Sequence, residues 1–530
     1  MEDLRSMAIL DKGRQKPMDT FARESVRLIT GKENFEGFDP NELLISWLTL
    51  SQTWEQVPLI KIDHRPLVEH LQLVTESGRI SPKNLRENQE FQLFLQSVSS
   101  KQQEGQNLNE LEREGGRLGE KLQHFYQIAQ GTNLNLYPRN NDGWESLAGL
   151  AQRFPQISLQ QASPTPDAKV AAGVQGMLSA YYQNNPQLFH EIAFLLNGIL
   201  RQRGEEIKNY PTQASLTREI HLNRFKPFRL AWIGYSLAAF LLALSLGLRA
   251  RAWYWSGMVV LILSFGLQLY GFILRILIAG RPPVTNMYET VLWVPFGAVL
   301  FGIILEIIYR KKVFALASAA VAALCLIVAD SAPSILDPAI NPLVPVLRNN
   351  FWLTIHVLTI TLSYGAFTLA LGVANLNGGF YIFAPHREDT IKSLNLFIYR
   401  ALQIGVILLA AGTILGGVWA NQSWGRFWGW DPKEVWALIA LLGYLVILHG
   451  RFIGWIKGVG LTVGTIVAYL LVLMAWYGVN FILGVGLHSY GFSSGGAKFV
   501  TIFTGVQLLW VTLILFRTKN GGTQALPRNL

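Results

Sequence analysis

The stretch from Trp419 to Trp436, WANQSWGRFWGWDPKEVW, holds five of the chain's sixteen tryptophans between two long apolar runs. A single tryptophan beside such a run is adequately read as an interfacial anchor, because its ring is apolar and its N–H is not. Trp419, Trp424, Trp428, Trp430 and Trp436, interrupted by Gly425 and Gly429, exceed that need. Together they suggest an aromatic platform for a large planar ligand.

Three of the nine histidines stand in or beside apolar runs: His356 near the start of one, His488 just past the end of another, and His449 at the end of the run after the tryptophan segment. Two neutral imidazoles approaching opposite faces of a planar macrocycle hold six-coordinate haem iron. His356 and His488 are the pair on the tryptophan side. Each taken alone also has a plain account, hydrogen bonding to water or headgroups, and His449 in HGR could simply close a helix. Asp431 and His449 are separated by ~27 Å if the intervening run is helical. His449 therefore marks a second position, across the bilayer from the first. His64, His70, His124, His190, His221 and His386 fall in polar or loop regions and read as structural.

Asp431, Pro432 and Glu434 match an N-cap, a proline at the first helical position and a capping-box carboxylate. Helix initiation accounts for Asp431, and a direct part in ligand binding is an equal alternative. Arg348, Arg426 and Lys433 lie near these elements, either as partners for haem propionates or as solvated loop charges.

The elements that must position these groups are apolar helices. Half of the residues are apolar, 15% are charged and the mean hydropathy is +0.27, with the two classes segregated along the chain. Residues 1–226 read as a soluble, Gln/Asn-rich, mostly helical domain. Residues 227–518 read as a transmembrane domain with nine runs near the ~20 residues a bilayer requires. These runs are 228–248, 256–279, 289–309, 313–330, 352–383, 401–418, 434–449, 460–482 and 500–516. The fold class is thus an all-α polytopic membrane protein of about nine transmembrane helices behind a mostly helical soluble domain.

Lys and Arg residues fall on alternate connections: Arg249 and Arg251, Arg310 to Lys312, Arg387 and Lys392, Arg451 and Lys457, Arg517 and Lys519. Cationic loops favour the cytoplasm, so the tryptophan segment faces the other side. The net charge of +10 is then a topology signal and no nucleic-acid footprint. Nine spans also place the N-terminal domain outside the cytoplasm, yet Met1 to Thr20 contains no apolar export segment. Either an upstream segment or a partner provides translocation, or 313–330 is not a span.

Cys325 is the only cysteine, which excludes an intramolecular disulfide, a CxxC redox pair and a CxxCH haem attachment site. No nucleotide-binding motif points to an ATP-driven pump, and no internal repeat suggests a secondary transporter.

WGRFWGWDPKE resembles the WWD signature of the haem-handling proteins of cytochrome c maturation. Its surroundings are similar to the CcsA/ResC type, the System II cytochrome c synthase subunit. The blocks that carry this are VTNMYETVLW at 284–293, FWLTIHVLTITLSYGAF at 351–367, the WWD segment, LHGR at 448–451 and YGVNFILGVGLHSYGF at 477–492. DKGRQKPMDTFARE near the N-terminus also resembles a segment found ahead of the CcsA part in some members, as in a divided CcsB-CcsA fusion.

The resemblance implies an external haem b site in which Trp419, Trp424, Trp428, Trp430, Asp431 and Arg426 surround the ligand. It gives His356 and His488 the axial positions and His449 a role in transmembrane haem passage. It implies a haem lyase component, active with a CcsB/ResB-type subunit, that positions reduced haem for thioether attachment to the CxxCH motif of apocytochrome c, with a thioredoxin-like reductant as a further partner. A bacterial cytoplasmic membrane or a thylakoid would house it. A haem exporter or chaperone without ligation, and a structural subunit of a respiratory assembly, are the competing readings.

Overall fold

The computed structural model describes all residues except 140–142, 156–164, 208–209, 249–250, 334, 344–348, 485–494 and 521–530. The chain forms two compact units, Met1–Phe225 and Lys226–Leu530.

In the first unit, strands β1 (Ala8–Asp11) and β2 (Arg14–Pro17) pair as an antiparallel hairpin closed by Lys12 and Gly13. Both turn residues have positive φ, 48° and 76°, the combination that a two-residue turn needs to match strand twist. Strands β3 (Ile60–Lys61) and β4 (Arg79–Ile80) form a separate two-stranded sheet. Strands β5 (Asn135–Pro138) and β6 (Trp144–Ser146) extend the hairpin into the order β2-β1-β5-β6. Helices make up most of the remainder.

The segment DKGRQKPMDTFARE has a structural explanation here. Asp19 is fully buried and accepts from Arg23 Nε (2.9 Å), Asn41 Nδ2 (3.1 Å) and Asn223 Nδ2 (3.1 Å). Glu219 accepts from Thr20 Oγ1 at 2.8 Å and is paired with Arg14. A buried carboxylate is tolerated only when its oxygens are satisfied in this way.

The second unit contains, among the described residues, nine helices long and apolar enough to cross a membrane, and the chain is a multi-pass membrane protein. The first is Pro227–Gly247. The others are Arg251–Ala279, Met287–Tyr309, Val313–Ser331, Leu353–Phe383, Glu388–Trp424, Pro432–Phe452, Gly458–Leu483 and Ala497–Lys519. The short run at 313–330 is a helix in its own right. Left-handed Arg310 (φ 53°) and Lys312 (φ 69°) make the tight turn into it, and buried Glu306 accepts from the Lys312 and Ala315 N–H groups.

The fifth span is the hub: 67% of its most apolar stretch is buried, against 11% for the ninth. Hydrocarbon offers no hydrophobic drive between helices, so close backbone approach through small residues does that work. A side chain at Gly365 would stand 2.7 Å from Val294 O and 3.1 Å from Gly297 Cα on the third span. One buried ion pair lies inside the unit: Arg275 donates to Glu289 at 2.7 Å, with both side chains almost wholly buried.

His124 in the first unit is enclosed between Ser25 (2.9 Å) and Asn133 (3.3 Å). Burial, aided by the charge of Lys12, lowers its pKa to about 4. An unfolded histidine takes up a proton near pH ~6.5, so its contribution to stability is complete above that pH and is lost as pH falls toward the folded value. Lowering the pH from 7 to 5 is expected to weaken the unit by on the order of 2 kcal/mol. The readout is amide-exchange protection of Glu110–Ala129 in the intact chain, corrected for intrinsic rates. His124→Gln should flatten the pH response, and an unchanged slope in that variant would assign it to other groups.

Candidate functional site

His356 lies not in regular α-helix but in a π-helical turn, Leu353–Val357, at the start of the fifth span. Such a turn adds a residue to the helical repeat and re-aims a side chain, which is why π-turns gather at functional sites. Its imidazole points at the sixth span, where Nδ1 is 2.8 Å from the carbonyl oxygen of Gly412. A carbonyl only accepts, so Nδ1 carries the proton and Nε2 carries the lone pair, the tautomer that suits a metal ligand. One turn further along, a side chain at Gly416 would stand 2.6 Å from His356 Cε1. The ring fits because that position has none. Trp419, 7% exposed, packs against His356 with ring centres 5.6 Å apart.

His356 faces a cleft of about 1110 Å³, counting the part open to the surroundings. The walls come from five spans, the third and the fifth to eighth. Trp424 and Trp428 line it together with Trp419, and Trp476, Tyr364 and Met287 add apolar surface opposite. The eighth span is also π-helical where it borders the cleft, over Met474–Leu483. Trp476 Nε1 there donates to Thr290 Oγ1 on the third span at 3.0 Å. Trp352 Nε1 donates to Gln422 Oε1 at 2.6 Å, joining the start of the fifth span to the end of the sixth.

The tryptophan segment leaves the sixth helix through Gly425 (φ 70°) and enters the seventh at Asp431. The capping box is present in full. Asp431 Oδ1 accepts from the Lys433 N–H at 3.0 Å, while Glu434 Oε2 accepts from the N–H groups of Asp431 (3.1 Å) and Gly429 (2.8 Å). Asp431 is buried in this cap and does not line the cleft, whereas Lys433 and Glu434 do. Trp430 stands outside it, 71% exposed, with its ring perpendicular to Trp428 at 6.0 Å. Its φ of 57° is left-handed, a strained conformation for an aromatic residue that costs about 1–3 kcal/mol.

The other expected residues are dispersed. Arg426 lies across Gly429, where a side chain would meet its guanidinium at 1.7 Å, and it is not in the cleft wall. His449 is exposed in the last turn of the seventh helix, the opposite end from the cleft, with Nδ1 2.8 Å from Leu445 O. His488 and Arg348 lie outside the described residues. Among those residues, no group of three or more His, Cys, Asp or Glu is arranged to hold a bare metal ion. Asn480, Trp476 and Thr290 line the cleft without having been singled out in the sequence. Their only signal was membership of the blocks 284–293 and 477–492.

The wall at Val284–Met287 is braced from below. Glu289 Oε2 accepts from the N–H and Oγ1 of Thr285 at 2.8 and 2.7 Å, and its Oε1 accepts from Arg275. Arg275 also donates to Pro338 O at 3.0 Å, and Arg281 to Asn341 O at 2.7 Å.

Residues 284–488 match the family model described as cytochrome C assembly protein. Protein NrfI of Wolinella succinogenes is 28% identical over 494 residues, 90% of this chain and 53% of NrfI, so the chain spans about half the length of that relative. The cytochrome c biogenesis protein CcsA of Prochlorococcus marinus is 35% identical over 249 residues, 41% of this chain and 79% of that protein. CcsA of Synechococcus is 32% identical over 244 residues, 40% and 79% respectively.

Removing one member of a buried ion pair strands the other. Glu289→Ala and Arg275→Met are each expected to lower stability in detergent by about 3 kcal/mol or more, read by thermal unfolding. The double variant should lose clearly less than the sum of the two. Additive losses would show that the pair is not what braces this wall.

Proposed function

Because the chain belongs to the cytochrome c assembly family and is of the CcsA type, we propose that its cleft binds haem b as a substrate and presents it, reduced, to the CxxCH motif of apocytochrome c. The observation that carries this reading is the tautomer of His356, locked by Gly412 O with Nε2 as the lone-pair nitrogen, at the edge of a tryptophan-walled cleft. Trp424 and Trp428 offer stacking faces. His488 is the second axial ligand in this reading, and the histidine of the incoming CxxCH replaces one of the two.

The bond-forming step is addition of each cysteine S–H across a haem vinyl C=C. Sulfur joins one carbon, the proton joins the other, and no oxidant is consumed. The chain contributes position, not a nucleophile. In this reading Trp428, Trp424 and the capped turn at Asp431 fix the plane of the ring, and exposed Trp430 meets ligand or apocytochrome. That contact would explain why strained backbone is kept at this position.

Haem delivery across the membrane belongs to the same reading. His449 has the same Nδ1-locked tautomer at the opposite end of the seventh span and is exposed there, suited to share a ligand with a CcsB/ResB-type subunit. The tryptophan segment and the N-terminal unit face away from the cytoplasm, in a bacterial inner membrane or a thylakoid.

The test is the absorption spectrum of the detergent-purified chain co-expressed with a ResB-type partner. Wild type should carry haem. His356→Ala should retain about tenfold less or lower, and Gly416→Val should reproduce that loss by displacing the imidazole. Trp428→Ala should reduce retention without changing the ligation spectrum. Haem content unaffected by His356→Ala would overturn the site.

A further inference from the structure

His356 serves the cleft only while its ring is held toward the sixth span, and the π-helical turn that aims it has to be kept from relaxing. We infer that the hydrogen bond between Trp352 and Gln422 holds that turn and makes the two side chains a positioning device for His356; this rests on the haem reading above.

A π-turn takes up one residue more than α-helix and is rare, so the chain on both sides of it has to enforce it. The turn is Leu353–Val357. On its C-terminal side the fifth span is pressed against the sixth, where a side chain at Gly412 would come within 2.8 Å of Ile360 Cβ. On its N-terminal side stands Trp352, the residue immediately before the turn, which is 7% exposed. Its Nε1 donates to Gln422 Oε1 at 2.6 Å, and because an indole N–H only donates, the amide presents its oxygen. Trp352 and Leu353 also share a small apolar cluster with Val284 and Trp419, and Trp419 is the ring that packs on His356.

Gly412 and Gln422, the two fixed points, both belong to the sixth helix, Glu388–Trp424, ~15 Å apart along its axis. The fifth span covers the interval between them with an extra residue stored in the turn. Freed at Trp352, the segment can return to α-helical hydrogen bonding, and discarding one residue of register turns a helix by ~100°. A rotation of that size carries the His356 ring away from Gly412 O and from the space that Gly416 leaves for it. Neither Trp352 nor Gln422 lines the cleft, and Gln422 is exposed. Each acts on the ligand through His356.

The experiment is a titration of the partner-bound chain, freed of haem, with ferric haem, followed by absorption and electron paramagnetic resonance. Wild type is expected to give a six-coordinate, low-spin spectrum. Trp352→Phe keeps an aromatic ring and loses the N–H, while Gln422→Leu keeps the approximate size and loses the acceptor. Each should bind about tenfold more weakly and show a high-spin, five-coordinate fraction. Gln422→Glu retains an acceptor oxygen and should keep the wild-type spectrum. Joining Trp352→Phe to Gln422→Leu should cost no more than the larger single loss, because the same hydrogen bond is removed in each. On a His356→Ala background neither substitution should alter the spectrum further. Wild-type ligation in both single variants, whether or not binding weakens, overturns the positioning role and leaves the haem site standing. A further spectral change on the His356→Ala background also overturns it. If Trp352→Phe does not fold, Gln422→Leu, at an exposed position, decides the matter. Failure of wild type to bind haem sinks the haem reading itself.

Discussion

The cleft depends on how closely the fifth and sixth spans approach each other. Gly412 is pressed against the backbone of Ile360, where a side chain would come within 2.9 Å of its Cα, and Gly416 against the ring of His356. That approach brings a main-chain carbonyl within reach of the imidazole, and the carbonyl determines which nitrogen is protonated. A bulkier residue at either glycine would separate the helices and release the ring. The tautomer, the position of Trp419 behind it and the opening toward Trp424 and Trp428 all follow from this contact.

Hydrocarbon imposes the second constraint, since every polar group inside it must find its partner within the protein. Glu289, Arg275 and Glu306 obey it by holding turns and loops, so these buried charges are structural. Lys433 satisfies the same rule with a neutral amide.

Much of this was legible in the chain alone. The nine apolar runs are helices among the described residues because runs of ~20 apolar residues have few other options in a bilayer, and the helix at 313–331 survives its shortness because Glu306 caps the turn before it. Asp431, Pro432 and Glu434 form the capping box their spacing announced, since that motif is local and needs no tertiary partner. The two π-helical segments at 353–357 and 474–483 were not legible: their hydropathy is that of any apolar helix, and the extra residue is accommodated by packing. Nor could spacing separate Lys433 from Arg426, seven residues apart in one aromatic segment, because a left-handed turn at Gly425 and another at Trp430 decide which of them faces the cleft.

The sequence by itself thus determined the membrane helices, the cap that starts the seventh of them and the residue types from which a haem site could be built, because each is a property of local pattern. Tertiary structure decided which of those residues meet. His356 became the residue with a defined tautomer, Trp430 was left exposed, and Asn480 turned its oxygen to Lys433. Those outcomes rest on contacts between spans far apart in the chain, and no local pattern records them.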